Sequence, residues 1–436
     1  MKKYFFIALF ILSIFNFAFS QKITHKVLID NLLGNDNYGF SLIYDDKGRI
    51  YIAGDGGDEK KVIFFVMRFD NQLNVDKSFG DDGKVFLDFS AKSINLSSFN
   101  SIVVDKDKIY VVGNIVNIKG DYDIFITRLN EDGSIDRNFG NYGKVILDNI
   151  GGGDWDDFVR SFSIKDGKLY LAGTTWKQGN TDGFVIGLDE LGNIDESFGN
   201  KGIVLLDSIA GGKWDDQIWD LYVDYNRNLF VVGGSYNDRD DKGGTRNAFI
   251  MKLKQDGNVD KNFGNNGKVV FSSLSNYDSI AYTIFLDQKS NIYIGGDFWN
   301  GNREKSWYNA FIVKIKNDGS FDKSFGNQGI VLLEKIAGGL GDTLLRKIFV
   351  DKEGKVFALG SSYNGNNSDI YLLKLNHDGI IDENFGKQGK IIMDKISGYD
   401  EDVGLNFVFD KNDSIIITGW TGNDNQRYPF LIKIEK

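Results

Sequence analysis

The sequence predicts an all-β repeat protein. Three observations support this prediction: a recurring turn motif, its steady spacing, and an N-terminal segment that can supply the strand missing from the last repeat. The motif has the frame I/V/F-D-x-x-F-G-x-x-G and is followed each time by a short apolar segment. A fixed period of this length is typical of folds in which each unit packs against its neighbours. The phenylalanine of the motif recurs at intervals of 60, 59, 65, 62 and 60 residues, at Phe79, Phe139, Phe198, Phe263, Phe325 and Phe385.

Each period contains four short apolar segments separated by turns. In the period that begins at Asp157, these segments are residues 158–164, 169–173, 183–188 and 202–206. Polar or glycine-containing turns lie between them, and no helical periodicity is present, which indicates four antiparallel strands. Such four-stranded units, repeated around an axis, form the blades of a β-propeller. We label the strands of each blade A to D in chain order.

Residues 1–20 have a different composition. Lys2 and Lys3 precede an apolar stretch over residues 4–17, and Ala18 and Ser20 stand at the −3 and −1 positions before Gln21. This is the pattern of a secretory signal peptide, with an uncleaved anchor as the alternative. We therefore expect an exported protein in the periplasm, on the cell surface or outside the cell. No later apolar run is long enough to predict a transmembrane segment.

The remaining 416 residues divide into seven units of about 59 residues, which is close to the observed period. The last unit supplies strands A, B and C at 405–409, 414–419 and 430–434, but no strand D. The segment 25–30 resembles the strand D sequence Lys144–Asp148. The sequence thus predicts a single domain over 21–436, a seven-bladed β-propeller of four-stranded antiparallel blades closed by the N-terminal strand 25–30. The predicted blades start near residues 38, 97, 157, 216, 278, 342 and 402.

Composition excludes several classes of function. Without Lys2 and Lys3, 49 basic residues stand against 61 acidic ones, a net charge of −12 that disfavours a nucleic-acid partner. The chain has no cysteine and only two histidines, His25 and His377, which excludes thiol chemistry and makes a Ser/His/Asp triad improbable. No nucleotide-binding or zinc-protease motif is present, and we predict no cofactor, no metal and no catalytic residue. The protein is expected to act as a monomer.

The motif resembles the delta-60 repeat, a bacterial family of propeller-forming units of roughly sixty residues. The segment Asp132–Gly143, with the core D-G-x-I-D-x-x-F-G-x-x-G, carries this resemblance, which extends over residues 25–436. The resemblance implies an exported repeat protein with no established general activity. Members often continue into a C-terminal sorting or adhesion region, which is not recognised before Lys436.

Two acidic positions recur. The motif aspartates (Asp76 in the first copy and Asp136 in the second) are interpreted as Asx turns that accept backbone N–H groups, rather than as metal ligands. The second position precedes strand A and is predicted to face the mouth of the central channel. There, carboxylates either cap the backbone, the interpretation we favour, or bind a cation or a sugar. The second set is Asp36, Asp157, Asp216, Asp278, Asp342 and Asp402.

Blades 4 and 5 differ from the others in their B–C loops. From the glycine of strand B to the aromatic residue of strand C, these blades span 16 and 15 positions, against 11 or 12 in the others. Insertions on one face of a repeat array commonly form the binding face. Trp155, Trp176, Trp214, Tyr363 and Trp420 are expected on the same face. The predicted ligand-binding residues in the two long loops are Tyr236, Arg239, Arg246, Phe298, Trp299, Arg303, Trp307 and Tyr308.

These aromatic and charged side chains suit stacking on sugar rings or a protein contact, or else they cover the blade cores. The first hypothesis is a non-catalytic propeller that binds a glycan or a protein through the loops of blades 4 and 5. The alternatives are a polysaccharide-cleaving enzyme that uses a pair of carboxylates at the channel mouth, and a purely structural component of the cell envelope.

Overall fold

The computed structural model shows seven four-stranded antiparallel blades around an axis, as predicted. It describes residues 22–29, 32, 36–58, 61–88, 98–153, 155–177, 179–237, 244–272, 274, 277–301, 307–398, 401–423 and 426–435. The predicted signal peptide lies outside this part. Within it, the chain forms no helix with the length and hydrophobicity needed to span a membrane.

The strands follow the predicted order. Blades 1 and 2 consist of β2 (Asp36–Tyr44), β3 (Ile50–Asp58), β4 (Lys61–Phe69), β5 (Lys84–Leu87), β6 (Ser98–Asp105), β7 (Lys108–Val116), β8 (Tyr122–Leu129) and β9 (Lys144–Leu147). Blades 3 and 4 consist of β10 (Asp157–Lys165), β11 (Lys168–Lys177), β12 (Asn180–Leu188), β13 (Ile203–Leu206), β14 (Asp216–Val223), β15 (Leu229–Tyr236), β16 (Arg246–Leu253) and β17 (Lys268–Val270). Blades 5 and 6 consist of β18 (Ser279–Leu286), β19 (Ile292–Trp299), β20 (Tyr308–Ile315), β21 (Ile330–Leu333), β22 (Thr343–Val350), β23 (Val356–Tyr363), β24 (Ser368–Leu375) and β25 (Lys390–Met393).

Blade 7 is built from both ends of the chain. Its strands A to C are β26 (Glu401–Phe409), β27 (Ile415–Asn423) and β28 (Gln426–Glu435), and β1 (Lys22–Leu28) pairs antiparallel with β28 as the fourth strand. Val27 lies opposite Leu431, which confirms the predicted closure. Strand C of blade 7, β28, would otherwise have an unpaired outer edge, and β1 covers that edge. One parallel pair, Asp36 with Arg427, joins this blade to blade 1.

The core lies between adjacent blades. The apolar clusters each combine residues of two neighbouring sheets, for example Phe230 of blade 4 with Phe311 of blade 5. The A strands of successive blades contact one another and surround the axis. The B–C loops and D–A connections lie on one face, which we call the upper face. The A–B and C–D hairpins lie on the opposite, lower face.

Every strand A contains a bulge, which sets the position of one side chain per blade. In blade 3 the register with strand B shifts between Val159 and Ser161. The carbonyl of Phe158 then approaches Gly173 so closely that an added Cβ would lie 1.9 Å from its oxygen, so only glycine fits there. Bulges bend a strand and redirect side chains. The bulged residues are Phe40, Asn100, Arg160, Trp219, Tyr282, Arg346 and Leu405.

Candidate functional site

The upper-face pocket between blades 4 and 5 contains several of the predicted binding residues. Tyr236 ends β15 opposite Arg246, and Trp299 ends β19 opposite Tyr308, so each long B–C loop is closed by a pair of predicted side chains. With Gly244, Thr245, Tyr277 and Asp278, three of these residues (Tyr236, Trp299 and Tyr308) line a cavity of 430 Å³. The fourth, Arg246, contacts the ring of Tyr236. The loop residues Arg239 and Arg303 lie outside the described residues.

The geometry fixes these aromatic side chains relative to one another. The rings of Trp299 and Tyr308 meet edge to face, with centroids 5.1 Å apart, and the Trp299 indole N–H donates to the carbonyl of Gly301 at 2.9 Å. The Arg246 guanidinium lies 4.7 Å from the centre of the Tyr236 ring and donates to its hydroxyl at 2.9 Å. Tyr277 is 45% exposed and Tyr308 37% exposed. The pocket therefore presents ordered aromatic surfaces to solvent.

Besides Arg246, two of the predicted residues that the structure describes do not line this pocket. Phe298 is buried in the core between blades 4 and 5, so its prediction as a ligand-binding residue is wrong. It precedes Trp299 in strand B, and consecutive strand residues point to opposite sides of the sheet. Trp307 is half-buried, and its indole N–H is a buried donor that has no hydrogen-bond partner among the described residues. Other predicted upper-face tryptophans are exposed, namely Trp155, Trp176 and Trp214.

The acids before strand A occupy two adjacent positions rather than one. Counted from the bulge, Asp278 and Asp342 align with Asp156 and Asp215, not with Asp157 and Asp216. All four accept a backbone N–H from near the start of strand C in the preceding blade, at 2.8–2.9 Å. This position therefore joins neighbouring blades. The side chain of Asp36 lies outside the described part.

Asp157, Asp216 and Asp402 belong to the other position and are fully buried, so the prediction that they line the channel mouth is wrong. They accept the amides of Ile150, Ile209 and Ile396 in the D–A connections, which is the capping role favoured from the sequence. Burial raises the pKa of Asp157 and of Asp216 to about 6, despite these hydrogen bonds. Each of these three aspartates lies in strand A opposite a residue of strand B, and this register places its side chain beneath the D–A connection.

One group of carboxylates has the spacing of a metal site. The oxygens of Asp182, Asp207 and Asp216 lie within 4.8 Å of one another, and no other described triad of acids or histidines does so. Carboxylate oxygens are the ligands that calcium prefers. Both oxygens of Asp216 already accept backbone amides, from Ser208 and Ile209, so this residue also has a structural role.

The motif aspartates on the lower face form the predicted Asx turns. Asp136 accepts the amide of Asn138 at 3.1 Å, and the same contact recurs in all six copies. Sequence reasoning missed a basic partner on strand C, eight residues earlier: Arg128 pairs with Asp136 at 2.9 Å and lies 4.8 Å from the Phe139 ring centre. The recurring Arg/Lys-to-Asp spacing was the available signal. Phe139 is fully buried, as are its counterparts.

A second cavity that sequence reasoning missed opens on the lower face between blades 5, 6 and 7. It has a volume of 540 Å³ and an apolar floor formed by Phe285, Phe349 and Phe409. The ring centroids of Phe285 and Phe349 are 5.0 Å apart, and those of Phe349 and Phe409 are 4.7 Å apart. Charged residues of the A–B hairpins, including Asp351 and Lys352, surround the opening.

The chain is similar to several solved structures. The polysaccharide lyase Uly1 shares 11% identity, with 95% of this chain and 99% of that chain covered and a TM-score of 0.51. Drosophila Semaphorin 2a shares 11% identity over 91% and 74% of the chains, with a TM-score of 0.49. A Trypanosoma rangeli sialidase shares 9% over 95% and 58%, with a TM-score of 0.40. At 11% identity, the likeness to Uly1 supports the fold alone.

A comparison of the sequence with curated proteins finds no match. Three segments, residues 107–139, 165–198 and 353–385, match the family described as "Domain of unknown function (DUF5122) beta-propeller". Each of these segments ends at a motif phenylalanine: Phe139, Phe198 and Phe385. These three segments of the chain therefore match a β-propeller family model, which confirms the resemblance to a repeat β-propeller family of the delta-60 type.

Proposed function

We propose that the protein is an exported, non-catalytic binding module that holds a glycan in the upper-face pocket between blades 4 and 5. One observation carries this proposal: Tyr236, Tyr277, Trp299 and Tyr308 converge with Asp278 around one cavity of 430 Å³. Aromatic side chains supply rigid apolar surfaces with polar edges, which suits the alternating C–H and hydroxyl groups of a sugar ring.

The polar groups of the pocket are held in place by the fold. Asp278 accepts the amide of Arg246 at 2.8 Å, and Arg246 is itself stacked on Tyr236. A small number of oriented polar groups within an aromatic lining is typical of ligand sites. Contacts within the two hairpins orient Tyr236, Trp299 and Tyr308, so these three side chains need no ordering on binding.

The acids considered for glycosidic cleavage have structural partners. Asp216 accepts two backbone amides, while Asp278 and Asp342 each accept an amide from the preceding blade. These contacts favour a structural role and support a non-catalytic assignment. A protein ligand at the same aromatic surface is the alternative to a glycan.

A glycan array followed by calorimetric titration of the bound sugars tests the proposal. The double variant Trp299→Ala/Tyr308→Ala removes two walls of the pocket and is expected to weaken binding by about tenfold or more, since tenfold corresponds to 1.4 kcal/mol. Tyr225→Ala is the matched control, because Tyr225 is 89% exposed and lies in a lower-face hairpin.

Equal binding by the double variant and the wild type would reject the pocket as the site. Release of reducing ends from a bound polysaccharide, lost on replacing Asp216 or Asp278, would instead establish the cleaving enzyme. Binding of protein ligands but no sugar on the array would favour the protein-contact alternative.

A further inference from the structure

Two blades carry an arginine at the bulged position of strand A, and the two arginines have different surroundings. Arg346 of blade 6 pairs with Asp297 at 3.2 Å. Asp297 belongs to strand B of blade 5 and also accepts the amide of Leu345, the residue before the bulge, at 2.8 Å. The fold thus places a carboxylate from one blade beside the bulged arginine of the next.

The equivalent of Asp297 beside Arg160 is Asn114. It accepts the amide of Val159, again the residue before the bulge, at 2.8 Å. The Asn114 amide nitrogen donates to Ser98 at 3.0 Å, so the neutral side chain is fixed. The two junctions therefore share one backbone arrangement. At Arg346 a carboxylate neutralises the arginine, whereas the Arg160 junction has a neutral amide in its place.

The Arg160 side chain makes no hydrogen bond and no ion pair with any residue in the described part of the chain. Its guanidinium lies 4.6 Å from the ring centre of Trp219 and 5.4 Å from that of Phe158. Burial lowers the pKa of Arg160 below its ordinary value. A guanidinium that contacts aromatic rings keeps its five N–H donors in the plane of the group, where they suit a carboxylate.

A cavity of 150 Å³ lies beside this arginine on the upper face, at the junction of blades 3 and 4. Its apolar walls come from Phe158, Trp176 and Trp219, and Thr174, Thr181, Asp215 and Gln217 complete the lining. Asp215 accepts the amide of Thr181 at 2.9 Å and does not pair with Arg160. The cavity thus combines aromatic surfaces and hydroxyl groups with an arginine that has no counter-ion among the described residues.

We propose that this cavity is a subsite for the carboxylate of an acidic sugar, with Arg160 as the residue that binds it and Trp176 and Trp219 as its aromatic walls. Planar two-point pairing of a guanidinium with a carboxylate is among the strongest polar contacts in proteins. The inference rests on the proposed glycan-binding function and specifies its ligand as an oligosaccharide that contains hexuronate units.

The position of the cavity supports a site that continues along the upper face. Trp176 and Asp215 occupy the places in their blades that Tyr236 and Asp278 occupy one blade further on, in the pocket proposed above. Trp219 of blade 4 contacts Tyr282 of blade 5, with ring centroids 5.1 Å apart. Repetition of one arrangement at successive junctions suits a ligand that is itself a chain.

Calorimetric titration with tetragalacturonate and a mannuronate tetramer, each also with its carboxyl groups reduced to alcohols, tests this subsite. Arg160→Gln is expected to weaken binding of an acidic tetramer by about tenfold or more and to leave its reduced form unaffected. Asn114→Asp keeps Arg160 but supplies the internal carboxylate seen at Asp297, and is expected to produce the same selective loss. Arg137→Gln, the same charge change at an exposed lower-face residue, is the control.

Unchanged binding of the acidic tetramers by both Arg160→Gln and Asn114→Asp, with thermal unfolding showing folded proteins, would overturn the inference. So would a wild type that binds neither acidic tetramer, or one that binds hexaglutamate in an Arg160-dependent way but no uronate. If Trp299→Ala/Tyr308→Ala abolishes binding of sugars that Arg160→Gln leaves intact, the blade 4–5 site stands and the carboxylate subsite fails.

Discussion

The lower and upper faces of the ring are built from the same repeats, yet they use their polar groups differently. On the lower face, Gly140 of the motif donates its N–H to the carbonyl of Leu191 in the next blade at 2.7 Å, and the contact recurs with the same geometry at five junctions. On the upper face, neighbouring blades are joined by single aspartates such as Asp215. The residues around these upper contacts vary from blade to blade.

The ionisation of the acids reflects this difference. Hydrogen bonds from Lys168 and Ser197 hold the pKa of the motif residue Asp195 below its ordinary value. In the upper part of the blades, burial raises the pKa of Asp123 to about 6 and that of Asp55 to about 7. The lower-face acid Asp195 is thus stabilised by a cation, whereas Asp55 is buried and has no ion pair within the described part of the chain. The lower-face contacts thus recur from blade to blade and hold the ring together, whereas the upper-face residues differ between blades.

The largest effect is expected at blade 7, the one blade that lacks the lower-face motif. Deleting residues 21–34 removes β1 and the buried side chains of Ile29 and Leu32. Ladder hydrogen bonds at about 1 kcal/mol each and two buried side chains at about 2 kcal/mol each would be lost. Urea and thermal unfolding should show strong destabilisation relative to a chain that begins at Gln21. Coincident transitions would contradict the closure.

A smaller effect is expected from a pair of glycine substitutions, one on each face. Gly140 has φ 51° and an added Cβ would lie 2.2 Å from the carbonyl oxygen of Lys144, whereas Gly152 has φ 88° and nothing within 4 Å. Gly140→Ala is expected to lower the unfolding free energy by about 3 kcal/mol and Gly152→Ala by about 1 kcal/mol. Equal losses in denaturant titrations would show that the lower face is no more constrained than the upper.

The effect of Asp55→Asn should depend on pH. Because the folded-state pKa of Asp55 is about 7 and its unfolded value is about 3.9, the folded chain binds more protons between these values. Stability from this group is therefore present at low pH and is lost as the pH rises towards 7. Blade 2 already carries an asparagine, Asn114, at this position. Asp55→Asn should raise the unfolding free energy at pH 8 by at most about 4 kcal/mol and reduce the loss of stability with rising pH.

Thermal unfolding of the wild type and Asp55→Asn between pH 5 and pH 8 measures this change. Asp166→Asn, at an exposed A–B hairpin, is the control for the loss of one carboxylate. The prediction would be contradicted if the unfolding free energy rose between pH 5 and pH 8 by the same amount in the wild type and in Asp55→Asn.

Local features made much of the fold predictable. The turn around Asp136 and the conformations of Gly140 and Gly143 are set by residues close in sequence, so their repetition gave the number of blades. The last unit lacks a fourth strand and the chain has an additional strand near Val27, and together these features predicted how the ring closes. The upper-face pocket was predicted only in part, since Phe298 lies in the core and Tyr277 was not selected.

The sequence by itself determined the repeat, the seven blades, their strand order and the joining of the two ends, because turn chemistry and alternating hydrophobicity act within a few residues. The tertiary structure alone separated Asp157 and Asp216 from Asp278, since the alignment depends on the bulge in strand A. It alone showed that Asn114 accepts the amide before the bulge at Arg160, as Asp297 accepts the amide before the bulge at Arg346. Those contacts join residues of different blades, and their charge balance depends on how adjacent sheets pack around the axis.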